Sequence, residues 1–312
     1  MTTEALKGAG AAPGPGVGAI GRRLVGGKIL PVTVVVLVIL TIWYGGAVSM
    51  NAPLLKDQYQ RDDVAWDFER LIEDAWAMER PVLPAPHQIL AEIDKSTFKR
   101  KITSKRSLVF HAWVTLSSTL LGFAMGTLLG IALAVGIVHV RTLDRSLLPW
   151  IIASQTIPIL AIAPMIIVVL GNIGFTGLVP KAIISTYLCF FPVAIGMVKG
   201  LRSPDPLQMD LMRTYSATQA QVFWKLRWPA SVPFLFTSLK VAIAISLVGA
   251  IVGELPTGAQ AGIGARLLVG SYYGQTIQIW AALLVAALLA GLLVAAVGAI
   301  ERLVVRQMGA RP

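Results

Sequence analysis

Apolar residues in this chain come in long unbroken runs, not at every second or every third to fourth position. The runs at 29–48, 112–138, 148–170, 179–198, 235–255 and 277–300 hold almost no charge. A helix rises ~1.5 Å per residue and the bilayer core is ~30 Å thick, so runs of about twenty apolar residues predict membrane spans. Backbone amides in lipid must bond within their own segment, and the alternation a barrel strand needs is absent. The expected fold is therefore all-α and membrane-integral: one span at 29–48, then a five-helix core within 110–306. A Gly-, Ala- and Pro-rich tail at 1–28, a segment at 49–109 outside the membrane and a tail at 307–312 complete the plan.

The run at 29 follows Arg22, Arg23 and Lys28, which resembles a signal peptide. It continues to Val48 without a small-residue cleavage site, so it reads as an uncleaved anchor. Gly14, Gly16 and Gly18 follow no strand pattern and give no support to a dinucleotide site. Charged residues make up 14% of the chain against about 25% in soluble domains, so charge is confined to the connections. The net charge of +11 is explained by cytoplasmic Lys and Arg, without a nucleic-acid partner. With both termini cytoplasmic, Arg141, Arg145, Lys199, Arg202, Arg213, Lys225, Arg227, Arg302 and Arg306 fall inside, and Lys181 and Arg266 outside. The cluster Lys99, Arg100, Lys101, Lys105 and Arg106 opposes this, but long loops weigh less. The expected location is a bacterial inner membrane. Cys189 is alone and His87, His111 and His139 are isolated, so neither a disulfide nor a metal site is expected.

Within 51–107, Trp66, Phe68, Leu71, Ile72, Ala75 and Trp76 share one side of a helix. Such a helix either lies in the membrane interface or packs as a soluble element; the role of 51–78 stays open.

No Walker A sequence, no paired carboxylates within a span and no Ser/His/Asp set is present, so no catalytic residue is assigned. A transporter without its own nucleotide site must be driven by a partner, which calls for a cytoplasmic docking element. The connection at 200–233 is the candidate. Ser203 is the expected helix cap, with Pro204 and Pro206 in the first turn; Leu207, Leu211 and Tyr215 then share a face beside Met212. Thr218 and Gln221 form a capping-box pattern for a second short helix carrying Val222, Phe223 and Leu226, which Pro229 and Pro233 should stop. The alternative is a plain connecting loop with helical content.

This stretch resembles the cytoplasmic signature of binding-protein-dependent ABC importer permeases, E-A-A-x3-G-x9-I-x-L-P. Asp210-Leu211-Met212 stand at E-A-A, Ser216 at the Gly, Leu226 at the Ile and Trp228-Pro229 at L-P, with spacing kept throughout. Several flanking stretches resemble the nitrate, sulfonate and taurine branch. They are Leu83-Pro84-Ala85-Pro86, Thr115 to Gly136 with its glycines Gly122, Gly126, Gly130 and Gly136, Ile157-Pro158, Ala163-Pro164, Leu170-Gly171, Phe190-Phe191-Pro192, Val252-Gly253-Glu254 and Gly262-Ile263-Gly264, all in the same order. The resemblance implies a homodimer in membrane lipid, a separate ATPase that binds ATP and Mg and docks through this loop, and an external solute-binding protein. It also implies a small solute: a nitrate-, sulfonate- or taurine-like anion, or a pyrimidine-type vitamin precursor. Two departures stand out. Ser216 would cost about 1–2 kcal/mol if a left-handed bend is needed there, and Leu211 and Met212 replace small alanines, which calls for a matched ATPase groove.

Candidates for the translocation path are Gln155, Thr156, Pro158, Pro164 and Glu254. Pro158 and Pro164 either break the third span, freeing carbonyls for a cavity, or merely kink it. Glu254 either faces an outer gate or bonds to loop amides near Gly262. Gly122, Gly126 and Gly130 offer a small face at i, i+4, i+8 for contact within the subunit or across a dimer. Tyr272, Tyr273 and Trp280 suit interface anchors. An ion-coupled secondary transporter is the rival function, though Glu254 alone is thin support; a membrane-embedded enzyme would need clustered His, Cys or carboxylates within the spans.

Overall fold

The computed structural model describes residues 29–256 and 261–309, and among these the regular structure is entirely helical. The tail expected at 1–28 and the end of that expected at 307–312 lie outside the described residues. The chain divides into two compact units, residues 1–88 and 89–312.

In the first unit, α1 (Ile29–Arg61) runs 33 residues and passes well beyond Val48, where an apolar run alone ends the span. After that point the apolar positions continue at helical spacing as Ala52, Leu55 and Tyr59. They bury against Leu71 and Ala75 of α2 (Phe68–Ala77). Asp67 caps α2 by accepting from the Arg70 amide at 2.9 Å. Trp66 precedes this helix and Phe68 on it is exposed, so the expected six-residue face forms only in part. Asn51, wholly buried, donates to the Ala75 and Leu83 carbonyls and accepts from the Val82 and Leu83 amides. Its amide thus ties the chain after α2 back to α1 with its full bonding capacity.

Helix α3 (Pro86–Thr97) begins at the boundary between the units. The second unit continues with α4 (Leu108–His139), α5 (Arg141–Ser154), α6 (Ile159–Asn172) and α7 (Leu178–Leu201). Then come α8 (Pro206–Thr214), α9 (Gln219–Val222), a π-helical turn at Phe223–Arg227, and α10 (Trp228–Val252). Helices α11 (Ile263–Tyr272) and α12 (Thr276–Gln307) close the order. Five helices among the described residues are long and apolar enough to cross a membrane, and six if α5 and α6 count as one broken span.

The core is a layer of three helices, with α7 packed between α4 and α10. Their backbones approach closely because small residues face each other. A Cβ on Gly122, Gly126 or Gly130 would run into Ser185, Cys189 or the Phe190 carbonyl of α7. The small face of α4 is therefore spent within the subunit. Hydroxyls then bridge the helices. Ser185 donates to the Ser246 carbonyl at 2.9 Å, Ser246 to the Thr119 carbonyl at 2.9 Å, and Thr186 to the Gly122 carbonyl at 3.2 Å. Helix α12 packs on α10, where Lys240 and Glu301 form an ion pair.

The third apolar run is not one straight helix. Helices α5 and α6 meet at 98° across Gln155–Pro158. Pro158 is the N-cap of α6, where its missing N–H costs nothing, and the Tyr187 hydroxyl of α7 donates to the Ser154 carbonyl left at the break.

Candidate functional site: a helical knob and a buried clasp at opposite ends of the bundle

Helix α7 ends at Leu201 and α10 begins at Trp228, so the connection between them sits at one end of the three-helix layer. Asp205, not Ser203, caps α8: its carboxylate accepts from the Leu207 amide at 2.8 Å, with Pro206 in the first turn. Ser203 instead donates to the Gly200 carbonyl at 2.8 Å as α7 unwinds. Helix α8 stops in a two-bond terminus, with the Ser216 amide on the Arg213 carbonyl at 2.8 Å and the Ala217 amide on the Met212 carbonyl at 3.0 Å. That motif needs a left-handed residue at its turn, and Ser216 supplies it at φ +48°. The bend expected of the aligned glycine is thus kept by a serine, at a cost of about 1–2 kcal/mol. Ser216→Gly is accordingly expected to raise the thermal midpoint of the purified protein without altering its partners; an unchanged or lower midpoint would contradict the strain assigned to this turn.

The capping box after the bend forms in full: Gln221 N to Thr218 Oγ1 at 3.3 Å and Thr218 N to Gln221 Oε1 at 2.8 Å. The helix it starts is not stopped by proline. It widens into the π-helical turn, where the Trp228 amide reaches the Phe223 carbonyl, and runs on into α10. Pro229 falls in the first turn of α10 and Pro233 lies inside it. The wider turn removes the clash that the Pro229 ring would have with the carbonyl four residues back.

The knob's apolar surface differs in part from the sequence expectation. Leu207, Leu211 and Tyr215 are exposed at 78%, 55% and 76%, an uncovered stripe along α8. Phe223, expected on the outer surface, turns inward against His139 and Trp228 and packs on the core, with Leu226 and Pro229 only partly accessible. Trp224 takes the outward place at 63% exposure. Its two-residue neighbourhood of aromatics gave no clue to which ring would face out. Asp210 pairs with Arg213 at 3.0 Å, Met212 is half-buried, and Arg202 ties the base of the knob to Asp144 of α5 at 2.9 Å.

At the opposite end, about 30 Å along α7, lies Glu254, with no exposed surface. Lys181 Nζ stands 3.4 Å from its Oε1 and donates to the Ala261 carbonyl at 2.9 Å. The three amides that open α11 are each taken by a side chain: Gly262 N by His111 Nδ1 at 3.0 Å, Ile263 N by Thr115 Oγ1 at 2.9 Å, and Gly264 N by Glu254 Oε2 at 2.9 Å. Since Nδ1 of His111 accepts, its proton is assigned to Nε2, which donates to the Lys105 carbonyl at 2.9 Å. A carboxylate at a helix N-terminus also meets the positive end of the helix dipole. Gly262 and Gly264 are glycines because a Cβ on either would strike the Glu254 side chain, and Gly262 has φ +128°. Of the two roles expected for Glu254, bonding to loop amides is the one this geometry forms. Thr115 and Lys181 were not legible as its partners: they lie 139 and 73 positions away, with no spacing signal.

At the break in the third run, Thr156 donates to the Ala153 carbonyl at 2.8 Å and the Gln155 amide to the Ser154 hydroxyl at 3.2 Å. Both side chains finish their own helix end. Pro158 and Pro164 are exposed.

The family model for the binding-protein-dependent transport system inner membrane component matches residues 126–310, which holds the knob and most of the clasp. A protein named "Probable ABC transporter permease protein" from Haemophilus influenzae is 30% identical over 67% of this chain and 83% of its own length. A formylaminopyrimidine transport permease of Halalkalibacterium halodurans is 33% identical over 59% of this chain and 68% of its own. A nitrate import permease of Synechocystis sp. is 24% identical over 62% and 70%. Each of these relatives is named as a permease. The all-helical bundle, the exposed knob in signature register and these matches agree: the chain belongs to the binding-protein-dependent inner membrane components, the permease subunits of ABC importers, in the nitrate and sulfonate branch.

Proposed function

We propose that this chain pairs with a second copy in the membrane to form the path of a small-solute importer, driven by a separate ATPase seated on the knob. The family implies an ATPase and a solute-binding protein as partners. ATP and Mg are then bound by that ATPase, and both termini of this chain lie on its side of the membrane. The relatives named above carry solutes as different as a pyrimidine and nitrate, so the solute is left at its coarser class. The observation that carries the docking assignment is the uncovered stripe of Leu207, Leu211, Tyr215 and Trp224. Apolar side chains exposed together at the end of a span are covered either by lipid or by protein. Here they stand among Arg202, Arg213, Lys225 and Arg227, a mixture suited to an amphipathic protein groove.

The test is co-purification of the partner ATPase subunit when the two are expressed together. Leu207→Asp with Leu211→Asp puts two carboxylates into the contact without touching the core, and at least a hundredfold loss of association is expected, as for truncated hot spots worth ~3 kcal/mol or more. Retention of the ATPase by a correctly folded double variant would remove the assignment. Ion-driven uptake by the permease alone in liposomes would instead favour a secondary transporter.

A further inference from the structure

The glycines of α4 meet α7 in ascending register, Gly122 at Ser185, Gly126 at Cys189 and Gly130 at Val193, so these two helices run parallel. The start of α4 therefore lies on the side of the membrane opposite the knob, which follows the end of α7. The chain entering α4 there carries Lys95, Lys99, Arg100, Lys101, Lys105 and Arg106. With the knob cytoplasmic these six fall outside, against the tendency of Lys and Arg beside a span to stay in. Arg266 of α11 stands in the same field. Burial first, then the charges of Arg100 and Arg106, push its pKa below the ordinary value, and Glu92 opposes them.

Few carboxylates answer this charge. Asp94 pairs with Lys99 at 3.1 Å, while Lys101, Lys105 and Arg106 are exposed and make no ion pair among the described residues. The backbone beneath them is held in turns. The Arg100 guanidinium donates to the Arg106 carbonyl at 3.1 Å, and the Ser104 amide to the Lys101 carbonyl at 2.9 Å. Between the cations stand two large apolar side chains with no cover, Phe98 at 79% and Ile102 at 65% exposure. A segment both strongly basic and apolar suits the headgroup layer, where rings and aliphatic chains enter the acyl boundary and cations meet phosphate. Connectivity puts it there. Leu108 opens α4 two residues after Arg106, and the exposed Trp113 stands at the level where aromatic residues mark the membrane interface.

We propose that residues 98–106 are a binding site for anionic phospholipid headgroups in the leaflet opposite the knob. Phe98 and Ile102 enter the interface, and Lys101, Lys105 and Arg106 donate to the phosphate oxygens. An acidic protein surface would match the charge, but the short link to α4 holds the segment at headgroup level whether or not a protein is bound. The lipid supplies the counter-charge that the fold withholds. It also steadies the turn whose Lys105 carbonyl accepts from His111, and so the outer start of α4 beside the clasp. The site needs only that α4 spans the membrane and is independent of the solute carried.

The experiment uses the full-length chain in phosphatidylcholine nanodiscs, with the exposed Thr103→Cys carrying a bimane fluorophore; the native Cys189 is fully buried. The probes are phosphatidylglycerol and phosphatidylcholine, each bearing a nitroxide quencher high on its acyl chain and added in increasing proportion. Phosphatidylglycerol is expected to reach half-maximal quenching at a mole fraction about fivefold or more below that of phosphatidylcholine, as even one Lys or Arg at the surface predicts. Lys101→Gln with Lys105→Gln and Arg106→Gln should make the two lipids quench alike, and Lys101→Arg with Lys105→Arg should keep the preference. Raised salt, which needs no substitution, should weaken it, because exposed charges are screened. Phe98→Ser with Ile102→Ser should lower quenching by both lipids. Equal quenching of the parent by both lipids, or a preference that neither the glutamines nor salt reduce, would overturn the headgroup site. No quenching by either lipid would place the segment in water, open to an acidic protein partner, and would overturn the lipid assignment.

Discussion

Lys181→Met is expected to lower the stability of the second unit by about 3–5 kcal/mol, the usual cost of leaving one member of a buried ion pair unpartnered. The Glu254 carboxylate is fully buried and Lys181 supplies its only counter-charge among the described residues. The loss should spread beyond the pair. Lys181 also holds the Ala261 carbonyl and Glu254 holds the first turn of α11, so both sides of the chain excursion between α10 and α11 are released together. Glu254→Gln should cost less, because the side-chain oxygen can still accept from Gly264 and the Lys181 ammonium keeps its bond to the Ala261 carbonyl. The double variant should therefore be more stable than the sum of the two losses predicts, by at least about 1 kcal/mol. Thermal unfolding of the four proteins in one detergent gives the cycle. Strict additivity would mean that the two side chains do not act as a pair.

Gly130→Val should be comparably severe for a different reason. A Cβ on Gly130 would lie 2.8 Å from the Phe190 carbonyl and 2.8 Å from the Val193 Cβ, both on α7. Neither can swing away, since one is backbone and the other is the first side-chain atom. Accommodating valine requires α4 and α7 to separate, which stretches the Thr186–Gly122 bond and opens the core around Ala134, Cys189 and Val193. Overpacking of a tight core costs about 1–3 kcal/mol and occasionally more; at a contact of two backbones the upper part of that range is expected. Gly291→Ala on α12 is the control, because nothing lies within 4 Å of the added carbon. It should be neutral or stabilising by about 0.5–1 kcal/mol. Equal melting of the two variants would remove the close-packing account of the α4 glycines.

Much of this could be read along the chain because the signals are local. A run of twenty apolar residues must be a helix in lipid whatever surrounds it. The capping box at Thr218 and Gln221, and the need for a left-handed residue at Ser216, depend on atoms a few positions apart. The aligned spacing from Asp210 to Pro229 carried the family for the same reason. Local rules failed where a competing local option existed. Asp205 outbid Ser203 as the cap because it sits directly before Pro206. Pro229 did not end a helix, because a π-helical turn absorbed its ring.

The sequence by itself determined that this is a helical membrane protein, with an amphipathic knob between two spans. Only the tertiary structure decided which way the knob's aromatics turn, that the α4 glycines pack inside the subunit, and that Glu254 is held by Lys181, Thr115 and the opening of α11. The division has one physical cause. Hydrophobicity, capping and backbone conformation are set by neighbours in the chain, whereas the pairing of buried charges and the filling of space are set by whichever residues folding brings together.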